Sequence, residues 1–324
     1  MSRWLLILAL LIPLSACRRA PSTSAGSADP PTTEQVTALP LRDWVAEPAV
    51  LPEDAHEPCP RLLSTAPNVT EMCCALGLAN CLIGRTRYCI HPPAVADVPT
   101  IGALNDLNVE TLIELKPELI IVSGTSRAIT ERLAPLGLRF ETVPDDTLPD
   151  LFASITRIGA LTNRPQSAHQ LVAHIQADLA TVIDHFANAP ARRVLIALNA
   201  LTDPPTQFFA AGPDSFYDDL LRLAGHENAV APGSRGFTPV ALEFILDADP
   251  DVIIELVPDS ASRPGGDADA RAAWAKVGPL QAVATQRVHV VAGPQHFILG
   301  PRIAQTFAAI CQAIADGDAE AGHD

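Results

Sequence analysis

The chain is short of aromatic side chains and of positive charge. Aromatic residues make up only 5 % of its 324 residues, and Lys and Arg number 22 against 37 Asp and Glu. The formal net charge is therefore −15 at pH 7. Because proteins bind the phosphates of nucleic acids through Lys and Arg, this balance argues against a nucleic-acid-binding protein.

The short motifs of common enzyme classes are also absent from the sequence. There is no Gly-x-Ser-x-Gly nucleophile elbow, no phosphate-binding loop and no His-Glu-x-x-His zinc motif. The pair Asp145-Asp146 suggests acid–base chemistry, but a solvated loop accounts for it as well. We therefore expect no enzyme, and keep an enzyme on an α/β scaffold only as an alternative.

Long apolar runs are scarce, and the most apolar one stands at the N-terminus. Residues 4–13 follow Arg3 and are too few to span a bilayer, which takes about 20 residues. Leu14-Ser15-Ala16-Cys17 comes next, so residues 1–16 are predicted to be an export signal. This stretch resembles a bacterial lipobox, which implies a lipid anchor on Cys17. The alternative is an ordinary secretory signal followed by a stray Cys.

Residues 17–57 are rich in Pro, Ser, Thr and Ala and show no apolar period, which predicts a flexible tether. Outside the cytoplasm, the remaining cysteines predict disulfides, with at least one thiol left free. Their pairing stays open. The six are Cys59, Cys73, Cys74, Cys81, Cys89 and Cys311.

Strand patterns alternate with helix patterns in two parts of the chain, residues 58–147 and 190–318. Strands are expected at 61–66, 82–84, 118–122, 139–143, 193–197, 251–255 and 287–291. Helices are expected at 69–78, 111–115, 129–136, 216–223 and 301–314. This alternation predicts an α/β protein with two Rossmann-like lobes, each built on a parallel sheet.

Residues 148–189 contain no strand pattern and separate the two lobes. Their apolar residues recur at helical spacing and are interrupted at Asn163-Arg164-Pro165, which predicts a short helix followed by a long one. Residues 319–324 are expected to be a disordered tail.

The two lobes carry a similar segment at a constant offset of 133 residues. Glu110 corresponds to Glu243, and Pro117 corresponds to Pro250. Each proline is followed by an acid and an apolar run. This agreement predicts an internal duplication, although helix–Pro–strand units also recur in unrelated α/β proteins. A cleft between two lobes is a common site for a small molecule.

These motifs resemble the substrate-binding proteins of ABC importers for cobalamin, ferric siderophores and haem. The resemblance covers about residues 61–315. Its motifs are Ser64-Thr65-Ala66-Pro67-Asn68-Val69-Thr70-Glu71, residues 82–93, Gly102, residues 108–110 and 115–120, Phe237-Thr238-Pro239 with Glu243, and Gly300-Pro301-Arg302. It implies two lobes bridged by one long α-helix that permits only small lobe movements. The expected partner is an ABC permease, and the protein is expected to be a monomer without an obligatory cofactor.

The resemblance also implies which side chains face the ligand. Tyr88, Leu104 and Phe237 match positions where cobalamin-binding members place large aromatics, and Leu104 departs from that pattern. His296 lies on a loop that often lines the cleft, with a solvated loop His as the alternative. A cobalamin-like corrinoid or a ferric chelate is therefore expected in the cleft, with haem also considered.

Two further pairs of residues are predicted to dock onto the permease or to bind a metal ion. Glu110 and Glu243 match the acids that dock onto permease arginines, and both also suit a helix N-terminus as acids that complement its dipole. Cys89 and His91 are two residues apart and suit a metal ion, with a disulfide for Cys89 and loop packing for His91 as the favoured alternative. A lipoprotein that keeps the fold but acts as a sensor remains a further hypothesis.

Overall fold

Our computed structural model describes residues 39, 41, 57–103, 106–124, 127–202, 208–230 and 236–320. Three predictions lie outside the described residues: the signal peptide, the lipidation of Cys17 and the contact of Leu104 with the ligand. The expected lobe boundaries stay predictions.

The N-terminal lobe is built on a four-stranded parallel sheet with the order β2-β1-β5-β6. Every residue of β5 is buried, as expected for a parallel strand covered on both faces. The strands are β1 (Leu62–Ser64), β2 (Leu82–Arg85), β3 (Gly102–Ala103), β4 (Asp106–Leu107), β5 (Leu119–Ser123) and β6 (Phe140–Val143). The helices are α1 (Pro67–Ala75), α2 (Val109–Glu114) and α3 (Arg127–Leu133).

Two consecutive helices connect the lobes in sequence, α4 (Leu148–Leu161) and α5 (Pro165–His185). Thr147 and Asp150 form a capping box that begins α4, and Asn163 takes a left-handed φ of 58° where the two helices separate. The 21 residues of α5 span about 32 Å. The short helix and the long one are thus confirmed. Within the described ranges, no helix combines the length and apolarity needed to cross a bilayer.

The C-terminal lobe contains a larger sheet with the order β10-β8-β7-β11-β12, and β9 also pairs with β7. Strands β7, β9, β11 and β12 are parallel, whereas β8 pairs antiparallel with β7 and with β10. The strands are β7 (Arg193–Ala197), β8 (Phe208–Ala211), β9 (Glu227–Asn228), β10 (Phe237–Val240), β11 (Val252–Val257) and β12 (Val288–Ala292). The helices are α6 (Phe216–Leu223), α7 (Leu242–Ala248), α8 (Gly266–Trp274), α9 (Gln281–Ala284) and α10 (Ile303–Glu320). The predicted fold class is confirmed, and the antiparallel β8–β10 edge adds to it. Helix α10 continues to Glu320, into the segment predicted to be a disordered tail.

The repeated segment has the same local geometry in both lobes. Lys116 and Asp249, at equivalent positions before the proline, both have left-handed backbones, with φ of 48° and 39°. Such a residue ends a helix, and the proline that follows cannot continue it. The acid after each proline then accepts a backbone N–H from the neighbouring strand: Arg61 donates to Glu118 at 2.7 Å, and Arg193 donates to Asp251 at 2.8 Å. The repeat therefore extends to conformation and hydrogen bonding.

One large hydrophobic cluster joins the two lobes. It includes Met72 on α1, Ile175 on α5 and Phe307 on α10, all of them buried. Leu39 and Leu41 are half-buried and pack against the same cluster. Two residues of the segment that the composition predicts to be a flexible tether therefore contact the core.

The cysteines pair only once in the described part of the chain. Cys59 and Cys81 form a disulfide with a Cα–Cα distance of 6.2 Å. Cys73, Cys74, Cys89 and Cys311 are buried free thiols, so the disulfide considered for Cys89 is wrong. Helix α1 turns both of its cysteines into the core, and burial raises the pKa of the Cys74 thiol to about 12.

Candidate functional site

Two of the predicted ligand residues follow the carboxyl ends of parallel strands, and a third lies beside such an end. Tyr88 follows β2 and His296 follows β12. Phe237 begins β10 and pairs with Ala211, next to the Ala210 that pairs with the last residue of β7. In open α/β sheets, ligands bind outside this edge. Each lobe therefore contributes residues to the carboxyl edge of its sheet, where such folds bind ligands.

Tyr88 and Phe237 are largely exposed, with 58 % and 48 % of their surface accessible. Large aromatic side chains left open to solvent are candidates for contact with a ligand. The Arg87 guanidinium carbon lies 6.0 Å from the centroid of the Tyr88 ring, a cation–π distance that orients this ring.

Two more exposed apolar residues, Ile90 and Phe209, were missed by the sequence analysis. Phe209 pairs with Pro239 across the β8–β10 ladder, and Pro239 stands two residues from Phe237. Since residues two apart share a face of a strand, Phe209, Phe237 and Pro239 line one face. The sequence feature that could have identified an exposed Phe here is the Phe208-Phe209 pair, because adjacent strand residues point to opposite faces. Phe208 is buried, so Phe209 turns outward.

Aromatic packing supports Phe237 from behind. Its ring centroid lies 6.2 Å from that of Phe216 and 6.1 Å from that of Tyr217, both edge-on. The buried Tyr217 hydroxyl donates a 2.5 Å hydrogen bond to the His296 carbonyl oxygen. The exposed ring is thus held by a rigid cluster connected to the loop after β12.

His296 itself is buried, so a solvated loop His does not describe it. Its Nε2 lies 3.1 Å from the Gln295 side-chain nitrogen, which can only donate, and its Nδ1 lies 3.2 Å from Thr306 Oγ1. Burial, and then the positive charge of Arg302, lower the pKa of His296 to about 4. A neutral imidazole with its proton on Nδ1 fits these contacts. The described geometry gives His296 a supporting position behind the aromatic surface.

A buried ion pair joins the two lobes beside this cluster. Arg302, just before α10, donates from Nε to Glu71 Oε2 at 3.1 Å and from Nη2 to Glu71 Oε1 at 2.5 Å. Glu71 lies on α1 and its side chain is only 1 % exposed, against 12 % for Arg302. This bidentate geometry is the strongest form of an Arg–carboxylate contact.

Asp145 belongs to a hydrogen-bonded chain at the carboxyl edge of the first sheet. The Asn68 side-chain amide donates to Ser123 Oγ at 2.7 Å, and Ser123 Oγ donates to Asp145 Oδ2 at 2.6 Å. Burial raises the pKa of Asp145 above its usual value. This carboxyl group is therefore half-buried and tied to α1, which is not the solvated loop considered from the sequence.

The two predicted docking acids occupy equivalent places. Glu110 and Glu243 are exposed and lie in the first turns of α2 and α7. The N-terminus of α2 is capped by Asn108, whose side chain accepts from the Thr111 amide at 3.1 Å. Glu110 is thus not needed as the cap of its helix.

The suggested metal pair is not part of a larger ligand cluster. Cys89 is fully buried, with its Sγ 3.1 Å from Thr86 Oγ1. In the part of the chain that the structure describes, no three His, Cys, Asp or Glu residues are grouped to hold a metal ion. A two-residue site at Cys89 and His91 stays a prediction.

Comparison with known proteins settles the family. The sequence profile described as periplasmic binding protein matches residues 62–290, most of the chain. The chain belongs to this family. A vitamin B12-binding protein of Yersinia pestis (strain Pestoides F) is 24 % identical over 206 residues, which cover 63 % of this chain and 71 % of that protein.

Solved structures of the family share the fold of this periplasmic binding protein. The periplasmic haem-binding protein BhuT in complex with two haems aligns with a TM-score of 0.67 and 24 % identity, covering 80 % of this chain and 98 % of that one. The periplasmic vitamin B12-binding protein BtuF of Vibrio cholerae aligns with a TM-score of 0.65 and 22 % identity, covering 81 % and 98 %. The resemblance found in the sequence is thus confirmed, and the family's compartment agrees with the predicted export signal.

Proposed function

We propose that this periplasmic binding protein captures a corrinoid or ferric chelate between its lobes and delivers it to an ABC permease. The observation that carries the proposal is the exposure of large aromatic side chains in both lobes, Tyr88 after β2 and the pair Phe209 and Phe237 on one face of the β8–β10 ladder. We refer to these three residues together as the aromatic surface. Flat rings present broad apolar faces, and aromatic side chains stack on them well. The vitamin B12- and haem-binding relatives support this ligand class.

A corrinoid is the first candidate because Tyr88 and Phe237 keep the aromatic character expected for it. Haem is the second, since the exposed Tyr88 phenol is chemically able to bond haem iron. The two are distinguished by titrating the purified protein with cyanocobalamin and with haemin. Haem bound through Tyr88 should shift the Soret band, and Tyr88→Phe should reverse the shift without abolishing stacking.

The binding surface is tested with Tyr88→Ala and Phe237→Ala. Each change removes about 2 kcal/mol of apolar contact, so each should weaken binding of the better ligand by about thirtyfold. Phe186→Ala is the control for loss of a phenyl ring, because Phe186 is half-buried at the end of α5 and precedes β7 in the chain, whereas the tested residues are exposed. If all three variants bind as wild type does, or if neither chelate binds the wild type, the proposed ligand class is refuted.

Delivery is proposed to use Glu110 and Glu243 as docking carboxylates and a lipid on Cys17 as the anchor. A lipid-anchored protein meets a permease in the same membrane at raised effective concentration. Cys17→Ser should release the protein from the membrane fraction and abolish fatty-acid labelling. Glu110→Gln with Glu243→Gln should impair uptake while leaving chelate binding unchanged. Normal uptake by this double variant would refute the docking role.

A further inference from the structure

Two exposed aliphatic side chains lie on helices rather than on the strands and loops of the aromatic surface. Of the large hydrophobic residues exposed in the described ranges, four belong to the candidate site or its loops: Tyr88, Ile90, Phe209 and Phe237. The other two are Ile113 on α2, 51 % exposed, and Leu246 on α7, 40 % exposed. They are related by the same 133-residue offset that relates Glu110 to Glu243. The duplicated unit therefore exposes an aliphatic residue at the same place in each lobe.

Acids flank both aliphatic residues. Positions i, i+3 and i+4 of a helix lie on one face, and here they read acid, aliphatic, acid in both lobes. All six residues are exposed. We call these faces the acid–aliphatic patches; they consist of Glu110, Ile113 and Glu114 on α2, and Glu243, Leu246 and Asp247 on α7.

Neither Ile113 nor Leu246 supplies the inward face of its helix. The inward faces of the two helices are already supplied by Leu112 and Ile245, both fully buried. Leu246 lies against the backbone of Gly278, where an added Cβ would stand 2.6 Å from Leu246 Cδ2. A single exposed aliphatic residue is ordinary, but a repeated one between carboxylates resembles the apolar centre and charged rim of a protein interface.

We propose that the two acid–aliphatic patches form the docking surface for the permease, with Ile113 and Leu246 entering apolar pockets rimmed by Arg or Lys. This inference rests on the proposed function and adds the apolar contacts and the second acid of each patch to it. Four carboxylates on a chain of net charge −15 are repelled by anionic lipid headgroups, so a basic protein surface suits them better than a membrane. Because the patch occurs twice, the partner should present the pocket twice.

The test compares apolar and acidic variants of the full-length protein. The ABC permeases of the source organism are reconstituted one by one in nanodiscs, and docking is measured by interferometry at low and high salt. Ile113→Ser and Leu246→Ser should each weaken docking by about tenfold. This loss should be similar at both salt concentrations, whereas Glu110→Gln with Glu243→Gln should remove the salt-sensitive part of binding. Ile113→Leu is the conservative control and should restore docking.

The outcomes separate this inference from the proposed function. Docking of both Ser variants within about twofold of wild type, with weakened docking of the Gln variant, would overturn the apolar role and leave delivery intact. If the wild-type protein docks with none of the permeases, both proposals fall. Unchanged thermal unfolding of each variant shows that a lost interaction is not lost folding.

Discussion

The buried Glu71–Arg302 pair should be among the most sensitive contacts in the protein. Glu71 is almost inaccessible and accepts hydrogen bonds from two donor groups of Arg302. In Arg302→Met the carboxylate would stay buried without that counter-charge, and breaking such a pair destabilises by about 3–5 kcal/mol. For a protein of this size, we expect the Tm to fall by about 10 °C.

The two partners should not be equivalent. Glu71→Gln leaves the Arg302 guanidinium, whose side chain keeps 12 % of its surface accessible and can be partly hydrated. It should therefore destabilise less than Arg302→Met, by about 2 kcal/mol. The double variant Glu71→Met with Arg302→Met buries no charge at this place, so it should be more stable than Arg302→Met alone.

Urea unfolding at pH 7 of the wild type, Glu71→Met, Arg302→Met and the double variant measures the four free energies of a double-mutant cycle. We expect a coupling energy of at least about 2 kcal/mol. The matched control is Arg157→Met, because Arg157 pairs with Glu141 at a solvent-exposed site and its loss should change stability by less than about 1 kcal/mol. If Arg302→Met behaves like Arg157→Met, or if the two single changes simply add, the assigned role of the buried pair is wrong.

Three other perturbations have defined outcomes. Replacing Cys59 and Cys81 by Ser opens a loop of sequence separation 22 and should lower the free energy of unfolding by about 3 kcal/mol, and a reductant should then no longer affect urea unfolding. The native pKa of His296, about 4, lies below its unfolded value, so the unfolded chain takes up the proton first as the pH falls. Stability should therefore decline between pH 6.5 and 4, and this decline should be smaller in His296→Gln. Asp219 should change stability with pH in the opposite direction, because burial raises its native pKa to about 6. Its protonation should therefore add stability between pH 6 and 4, and Asp219→Asn should remove that gain.

The strands of the fold could be predicted where they are buried on both faces. Strands β5 and β11 have every residue buried, and the apolar runs at 119–122 and 252–254 mark them clearly in the sequence. Strand β10 was missed because Pro239 stands inside it, and a proline argues against a strand unless it lies at a sheet edge. β10 is such an edge strand.

The candidate site was predictable only in part, because its parts meet through long-range contacts. Glu71 and Arg302 each lie in a motif of the sequence analysis, yet nothing local shows that they pair across 231 residues. The pairing of Cys59 with Cys81 is equally invisible, since spacing allows several partners. The burial of His296 also depends on Tyr217 and Thr306, which come from other elements.

The contacts between the lobes bear on how far the cleft can open. Besides the Glu71–Arg302 pair, Asp219 on α6 accepts from the Leu148 amide at the start of α4 at 2.8 Å, and a shared hydrophobic cluster packs against α5. A wide separation of the lobes would break the buried pair, at about 3–5 kcal/mol, and expose part of that cluster. A ligand can shift a conformational equilibrium only by its difference in affinity for the two states. We therefore expect small lobe movements on binding, and the acid–aliphatic patches should keep their relative positions whether the cleft is empty or filled.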